Sequence, residues 1–243
     1  FTSINKTSRV CLLSATMSNT KEISTWIQSL NNKNTDVVNT PWRPVDLHAH
    51  KLRVGDGSTY EFCEEIADTL DILVCNEQEL GSYLLSSSQT QREMAKNRAD
   101  GGRENTKTLV FVHTKVLGKQ LEQTLKQKGY AAKFHNADLD KKARNKLEKD
   151  FRGKLDILIA TSTLAWGVNL PARNVIICGN KRGREYVSDI DLVQMAGRAG
   201  RFGMYPRGDV YYLNCNPSTS FPVKSSLEAK LAFHSIAELF SKR

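Results

Sequence analysis

The sequence is short of the residues that build self-contained sites. Its five cysteines, at 11, 63, 75, 178 and 215, form no C-x-x-C and stand at no metal-ligand spacing from the five histidines. That argues against a zinc site or a disulfide framework and fits a reducing compartment. His48 and His50 alternate within an extended stretch, as residues on one face of a strand do. No apolar run approaches the length of a membrane span and no signal-peptide pattern opens the chain, so no membrane partner is expected. No G-x-G-x-x-G follows the first strand, which argues against a dinucleotide site. Nor is there a G-x-x-x-x-G-K-[ST]. The two Gly-Lys pairs, Gly118-Lys119 and Gly153-Lys154, are followed by Gln120 and Leu155. The chain opens at Phe1 in mid-pattern, so it is expected to be a fragment of an intracellular protein, nuclear or cytoplasmic.

What remains is an ordinary globular composition. The 243 residues suffice for one large or two small domains with a well-buried core. A hydrophobic fraction of 40% against 25% charged residues gives no reason to expect disorder overall. The formal charge of +9 serves either solubility or a polyanionic partner such as nucleic acid.

Apolar residues 9–13 have β character. Asn19 or Thr20 caps a predicted helix with Ile23, Trp26, Ile27 and Leu30 on one face. Residues 36–39 are a possible strand, and Pro41 and Pro44 bracket a turn into extended residues 45–52. Ser58 or Thr59 starts a second helix with Phe62, Ile66 and Leu70 inward. Residues 86–106 are polar and read as a linker or insertion. From Lys107 the rhythm becomes strictly βαβα. Strands are predicted at 108–112, 131–134, 156–160, 174–178 and 209–213, and helices at 115–128, 140–151, 188–199 and 228–240. Near-continuous apolar strands alternating with helices imply an α/β fold with a mostly parallel sheet covered on both faces. Ligands of such sheets bind beyond the carboxyl ends of the strands.

Small polar residues recur at those ends: Thr114 after the first strand of this run, His135 and Asn136 after the second, and Thr161, Ser162 and Thr163 after the third. A hydroxyl beside exposed helix N–H groups suits a phosphate, and it is equally what an N-cap needs. Gln194-Met195-Ala196-Gly197-Arg198-Ala199-Gly200-Arg201 is the densest signal. Two arginines three residues apart on one helix would present both guanidiniums on neighbouring turns, with glycines that let a backbone or a phosphate approach. Permanently charged, forked donors suit the charge that builds on a γ-phosphate during its transfer. Without a phosphate-cradling loop, they read as half of an active site.

Residues 160–172, Ala-Thr-Ser-Thr-Leu-Ala-Trp-Gly-Val-Asn-Leu-Pro-Ala, resemble motif V of superfamily 2 helicases in the form found in the Ski-like DExH-box branch. Gln194–Arg201 resembles motif VI, Leu13-Ser14-Ala15-Thr16-Met17 motif III, and residues 108–114 motif IV. His135-Asn136-Ala137-Asp138-Leu139 resembles the family's His-x-Ala-Gly-Leu, with Asp138 where glycine is usual. Arg43-Pro44-Val45 sits where the family has an arginine-proline pair entering the second domain. The resemblance runs from about residue 9 to 213, and the order and spacing of the motifs make it specific.

The resemblance implies a RecA-like three-layer sandwich. Residues 1–45 would be the end of the first RecA-like domain, 46–106 the interdomain connection with a helix and linker, and 107–243 the second domain with a closing helix. It implies ATP between the domains, with Mg2+ held mainly by the first, and single-stranded or partly duplex DNA or RNA across both. Arg198 and Arg201 resemble the residues that reach the γ-phosphate, and Gln194 the one that orders the phosphate or attacking water. Gly167 and Asn169 resemble positions near the nucleotide. Thr161 resembles a nucleic-acid phosphate contact, with Thr114, His135 and Ser162 at comparable strand-end positions beside the arginines. Ser14 and Thr16 resemble the residues that couple nucleotide state to strand binding. The expected role is the C-terminal motor half of an ATP-dependent helicase, inactive as an ATPase alone. A non-catalytic binding module or a translocase that remodels nucleoprotein without unwinding would share these features. Residues 179–184, basic and glycine-containing, form either a solvated loop or a small strand-parting hairpin.

Overall fold

The structure is a computed structural model that describes residues 7, 9–13, 19–39, 43–52, 58–74, 85, 107–165, 168–170 and 172–214. The chain divides into two compact units, Phe1–Trp42 with Ser225–Arg243, and Arg43–Lys224.

In the first unit the described element is helix α1, Thr20–Asn31, which buries Ile23 and Ile27 as their spacing requires. Asn19 takes the N-cap position without a side-chain cap bond, and Asn32 closes the helix in the left-handed region at φ 55°. Residues 9–13 and 36–39, both expected to be strands, are irregular, with Leu13 91% and Val38 93% exposed. No other strand among the described residues of that unit offers a ladder partner, and β propensity without pairing does not make a strand.

The second unit is built on six parallel strands: β1 (Asp46–Leu52), β2 (Thr108–Phe111), β3 (Ala132–His135), β4 (Ile157–Ala160), β5 (Asn174–Cys178) and β8 (Arg207–Leu213), in the order β1-β8-β5-β2-β4-β3. Two short strands, β6 (Lys181–Arg182) and β7 (Glu185–Tyr186), pair antiparallel as a separate hairpin. Among the described residues the helices of this unit are α2 (Thr59–Val74), α3 (Lys115–Gln127), α4 (Lys141–Arg152) and α5 (Asp189–Ala196).

Strand alternation sorts the core into two layers. Val110, Ile157, Ile159, Ile176 and Tyr211 pack with Ile66 and Leu70 of α2 and Leu121 and Leu125 of α3. Leu109, Phe111, Leu158, Val175, Ile177 and Tyr212 pack with Phe151 of α4 and Leu192 and Met195 of α5. Both faces of the sheet are covered, which is why the strands read as unbroken apolar runs. This is the expected α/β, RecA-like sandwich, and all six of its strands are parallel.

Residues 46–106 were expected to lie outside this domain. Instead β1 pairs with β8 along its whole length, from Asp46 opposite Arg207 to Leu52 opposite Leu213, and α2 supplies core residues beneath the sheet. A strand that finds a free sheet edge satisfies its backbone there, whatever its distance in sequence. The predicted linker at 86–106 and closing helix at 228–240 lie outside the described residues.

Candidate nucleotide and nucleic-acid faces

The helix expected to carry both arginines stops at Ala196, so Arg198 and Arg201 do not share it. Gly197 caps it by donating to Val193, and the chain turns so that Ala199 forms a parallel bridge with Ala172. Ala172 lies just before β5, so the arginine loop sits at the amino ends of the strands.

Close backbone contact fixes this loop. Gly200, at φ 69°, has its α-carbon face against Gly208 at the start of β8; a Cβ on Gly208 would lie 2.6 Å from Ala199 O and Gly200 N. The glycines thus admit another backbone, not a phosphate. Arg43 donates from Nη2 to Ala199 O at 2.6 Å and from Nε to Val45 O at 3.0 Å.

The two arginines differ in surroundings. Arg198 is half-buried, and its guanidinium donates to the carbonyls of Val168 and Ala165. Burial lowers its pKa from the ordinary arginine value. Arg201 is exposed and donates from Nη1 to Asn169 Oδ1 at 2.9 Å. Gln194 is half-buried on the last turn of α5. Gly167, Ser14 and Thr16 lie outside the described residues.

Beneath the loop, Asp209 anchors the strand starts. It accepts from Arg207 Nη2 at 2.7 Å, from Arg173, and from His50 Nε2 at 2.9 Å. Burial pushes this carboxyl upward, but the hydrogen bonds from His50 and Arg207 and the charges of Arg173 and Arg207 outweigh it and hold the pKa at about 2.

The predicted strand contacts lie at the opposite, carboxyl edge, not beside the arginines. Thr114 is exposed and its hydroxyl accepts from Leu117 N–H at 3.2 Å, so it caps α3. His135 is 4% exposed, with both ring nitrogens buried and Nε2 3.6 Å from Glu148 Oε1, so burial keeps it from a strand. Burial, the largest influence, lowers its pKa and favours the neutral ring. Thr161 and Thr163 hydroxyls lie 3.0 Å apart, and Ser162 Oγ accepts from Arg182 of the hairpin.

The 179–184 segment folds as a hairpin, not a loose loop. Gly183, at φ 65°, opens the two-residue turn between β6 and β7, where a positive φ is needed. Its base is tied down: Gly179 N–H donates to Leu213 O at 2.7 Å, and the buried His113 donates from Nε2 to Gly179 O at 2.7 Å. Burial lowers the His113 pKa and outweighs the bond to Gly179 O, which raises it. Lys181 lies over the Tyr186 ring at 4.9 Å. Asp138 does not disturb its turn: its N–H donates to Asn136 Oδ1 at 2.9 Å and its carboxylate pairs with Lys115 at 2.6 Å.

Sequence reasoning gave Arg43 and Arg182 no role. Arg43 was visible in its arginine-proline pair; Arg182 had only the local basic run as a signal. Among the described residues, no group of three or more His, Cys, Asp or Glu is placed to hold a metal, and no helix is long and apolar enough to cross a membrane.

Comparison with known proteins bears on the fold. Residues 94–203 match the helicase conserved C-terminal domain family. The chain is 34% identical to the ATP-dependent DNA helicase Hel308 of Pyrobaculum calidifontis over 222 residues, 81% of the chain and 30% of that protein. It is 36% identical to the DExH-box ATP-dependent RNA helicase DExH14 of Arabidopsis thaliana over 149 residues, 55% of the chain and 7% of that protein. The chain thus spans less than a third of either relative. The fold is similar to that of S. cerevisiae Dbp5 bound to RNA and ADP BeF3, with a TM-score of 0.52 at 19% identity over 84% of the chain and 44% of that one. The chain is thus similar to ATP-dependent helicases over a stretch that includes the helicase conserved C-terminal domain, and its parallel α/β sheet has the same kind of fold as the solved relative.

Proposed function

We propose that this chain supplies the second motor domain of an ATP-dependent helicase of the Ski-like branch, acting inside the cell on single-stranded or partly duplex DNA or RNA. Residues 1–42 belong on this reading to the end of the first RecA-like domain, and the second begins at Arg43. The observation that carries the reading is the exposed Arg201 guanidinium beside Asn169, on a loop pinned by Arg43, Gly208 and the Ala172 bridge.

The arginines divide the work. Arg201 reaches the γ-phosphate of ATP held by the first RecA-like domain and stabilises the charge spread over it during transfer. Arg198 holds residues 165–168 and so keeps Asn169 in place. Gln194 orders the phosphate or the attacking water. Mg2+ would neutralise phosphate charge, and its ligands would come from the first domain, since the Asp209 carboxylate at this edge is buried and already accepts from His50, Arg173 and Arg207. On this reading the chain by itself is inactive as an ATPase. At the carboxyl edge, Thr161, Ser162 and Arg182 contact strand phosphates, and Ser14 and Thr16 couple the two events.

Arg201→Ala in the full-length protein tests the reading. Nucleic-acid-stimulated ATP hydrolysis should collapse while the thermal midpoint stays put; retained hydrolysis would remove the motor assignment and leave a binding module. The hairpin supports unwinding over simple translocation. Deleting Lys181–Arg184 should spare ATPase activity and lower strand displacement, and joint loss of both would sink the wedge.

A further inference from the structure

Helix α4 has a surface that the motor reading does not use. At about 100° per residue, Lys141, Lys142, Asn145, Lys146, Lys149 and Arg152 fall on one arc of roughly 140°, and all six are exposed. Of the helix's two carboxylates, Glu148 borders this arc and turns to buried His135, with Oε1 3.6 Å away, and Asp150 lies beyond its other border with Oδ1 3.6 Å from Lys154. Phe151 fastens the opposite side to the core.

Helix stability does not account for this face. Lys142 and Lys146, and Lys146 and Lys149, are like-charged neighbours at i,i+4 and i,i+3, which cost rather than contribute stability. Lys141 and Lys142 occupy the first turn, where the macrodipole disfavours cations, and the N-cap carboxylate of Asp140 is the one acidic group beside them. A solvated face carrying both signs would avoid both costs. The N-cap alone is conventional: Asp140 accepts from Ala143 N–H at 2.6 Å.

The face also links the two edges of the sheet. It begins just after the His135–Asp138 turn at the carboxyl edge and ends where Arg152 donates to Asn169 O at 3.2 Å. From Lys142 to Arg152 is about 15 Å at ~1.5 Å per residue, a length that spans two to three phosphates of one strand.

We propose that the outward face of α4 is a second nucleic-acid surface, which binds the phosphodiester backbone where it continues past the strand held at the carboxyl edge. It rests on the nucleic-acid part of the proposed function, not on ATP turnover. With no base-reading geometry, its contribution is independent of sequence and steep in salt.

The test is equilibrium binding of the full-length protein and its Lys142→Gln/Lys146→Gln/Lys149→Gln variant to a tailed duplex and to a single strand too short to leave the carboxyl edge. The salt dependence of each is followed. For the tailed duplex the variant should bind about tenfold more weakly, and its log–log salt slope should fall by about 2. Binding of the short strand, ATPase activity on that strand and the thermal midpoint should not fall. An unchanged slope for the tailed duplex would overturn the inference while leaving the motor reading intact. Equal weakening toward both probes would overturn it as well, since the effect would then be general charge. So would unaltered nucleic-acid binding with lost binding to phosphatidylserine vesicles. Failure of the wild-type protein to bind any strand would instead remove the functional reading beneath it.

Discussion

The two edges of the sheet are built differently. At the amino edge the arginine loop is over-determined: glycine backbones in contact, a bridge from Ala199 to Ala172, Arg43 on the Ala199 carbonyl, and Asp209 tying Arg173, Arg207 and His50 below. At the carboxyl edge the contacts are exposed hydroxyls and ion pairs, such as Lys115 with Asp138, that solvent or a strand can replace. On the proposed function, fixed donors would serve charge development in a transition state, where reorganisation is costly. Replaceable ones would serve a polymer that must be gripped and released.

Perturbing the amino edge should therefore have the larger effects. Arg201→Ala should lower nucleic-acid-stimulated ATP hydrolysis by the full-length protein by ~10³-fold or more, with no change in melting. Asp209→Asn leaves Arg173 buried without its charge partner and should cost about 3–5 kcal/mol in denaturant unfolding. This gap carries a pH signature. A carboxyl held at about 2 when folded contributes stability that is complete above its ordinary pKa and is lost as pH falls through about 2. The difference between wild type and Asp209→Asn should accordingly shrink in strongly acid solution; a gap constant to the lowest pH would remove Asp209 as the cause. Gly208→Ala forces Ala199 and Gly200 apart and should cost about 1–3 kcal/mol, with ATPase activity falling more than strand binding.

The carboxyl edge should yield smaller numbers. Thr114→Ala removes the cap of α3 and should cost about 1 kcal/mol, with strand affinity unchanged if capping is its whole role. Ser162→Ala with Arg182→Ala should stay within about 0.5 kcal/mol in stability, yet lower the salt slope of single-strand binding by about 0.7. An Arg201→Ala protein with full activity, or a Ser162/Arg182 variant that unfolds, would invert the comparison.

Much of the fold was legible because period and burial agree. Residues 174–178 are apolar enough to be buried on both sheet faces, and β5 occupies that stretch. The predicted helices at 140–151 and 188–199 open on Asp140 and Ser188, which turn out to be their caps, and Thr114, open between a phosphate site and a cap, caps its helix. Residues 9–13 and 36–39 misled because β propensity is local while pairing is not. β1 was misassigned for the converse reason: its partner, β8, is more than a hundred and fifty residues away. The motif strings located the arginines and strand-end residues, but not which way each side chain faces.

The sequence alone determined the alternation of strands and helices, the caps, and the motif order that points to a helicase motor half, since these depend on spacing along the chain. Tertiary structure decided that Arg198 is spent on backbone carbonyls while Arg201 stays exposed, that His135 is buried, and that the arginines and the strand-end hydroxyls occupy opposite edges. Those outcomes depend on which distant backbone closes against which, here Gly208 against Gly200 and β1 against β8. Burial and hydrogen bonding then assign each side chain its partner.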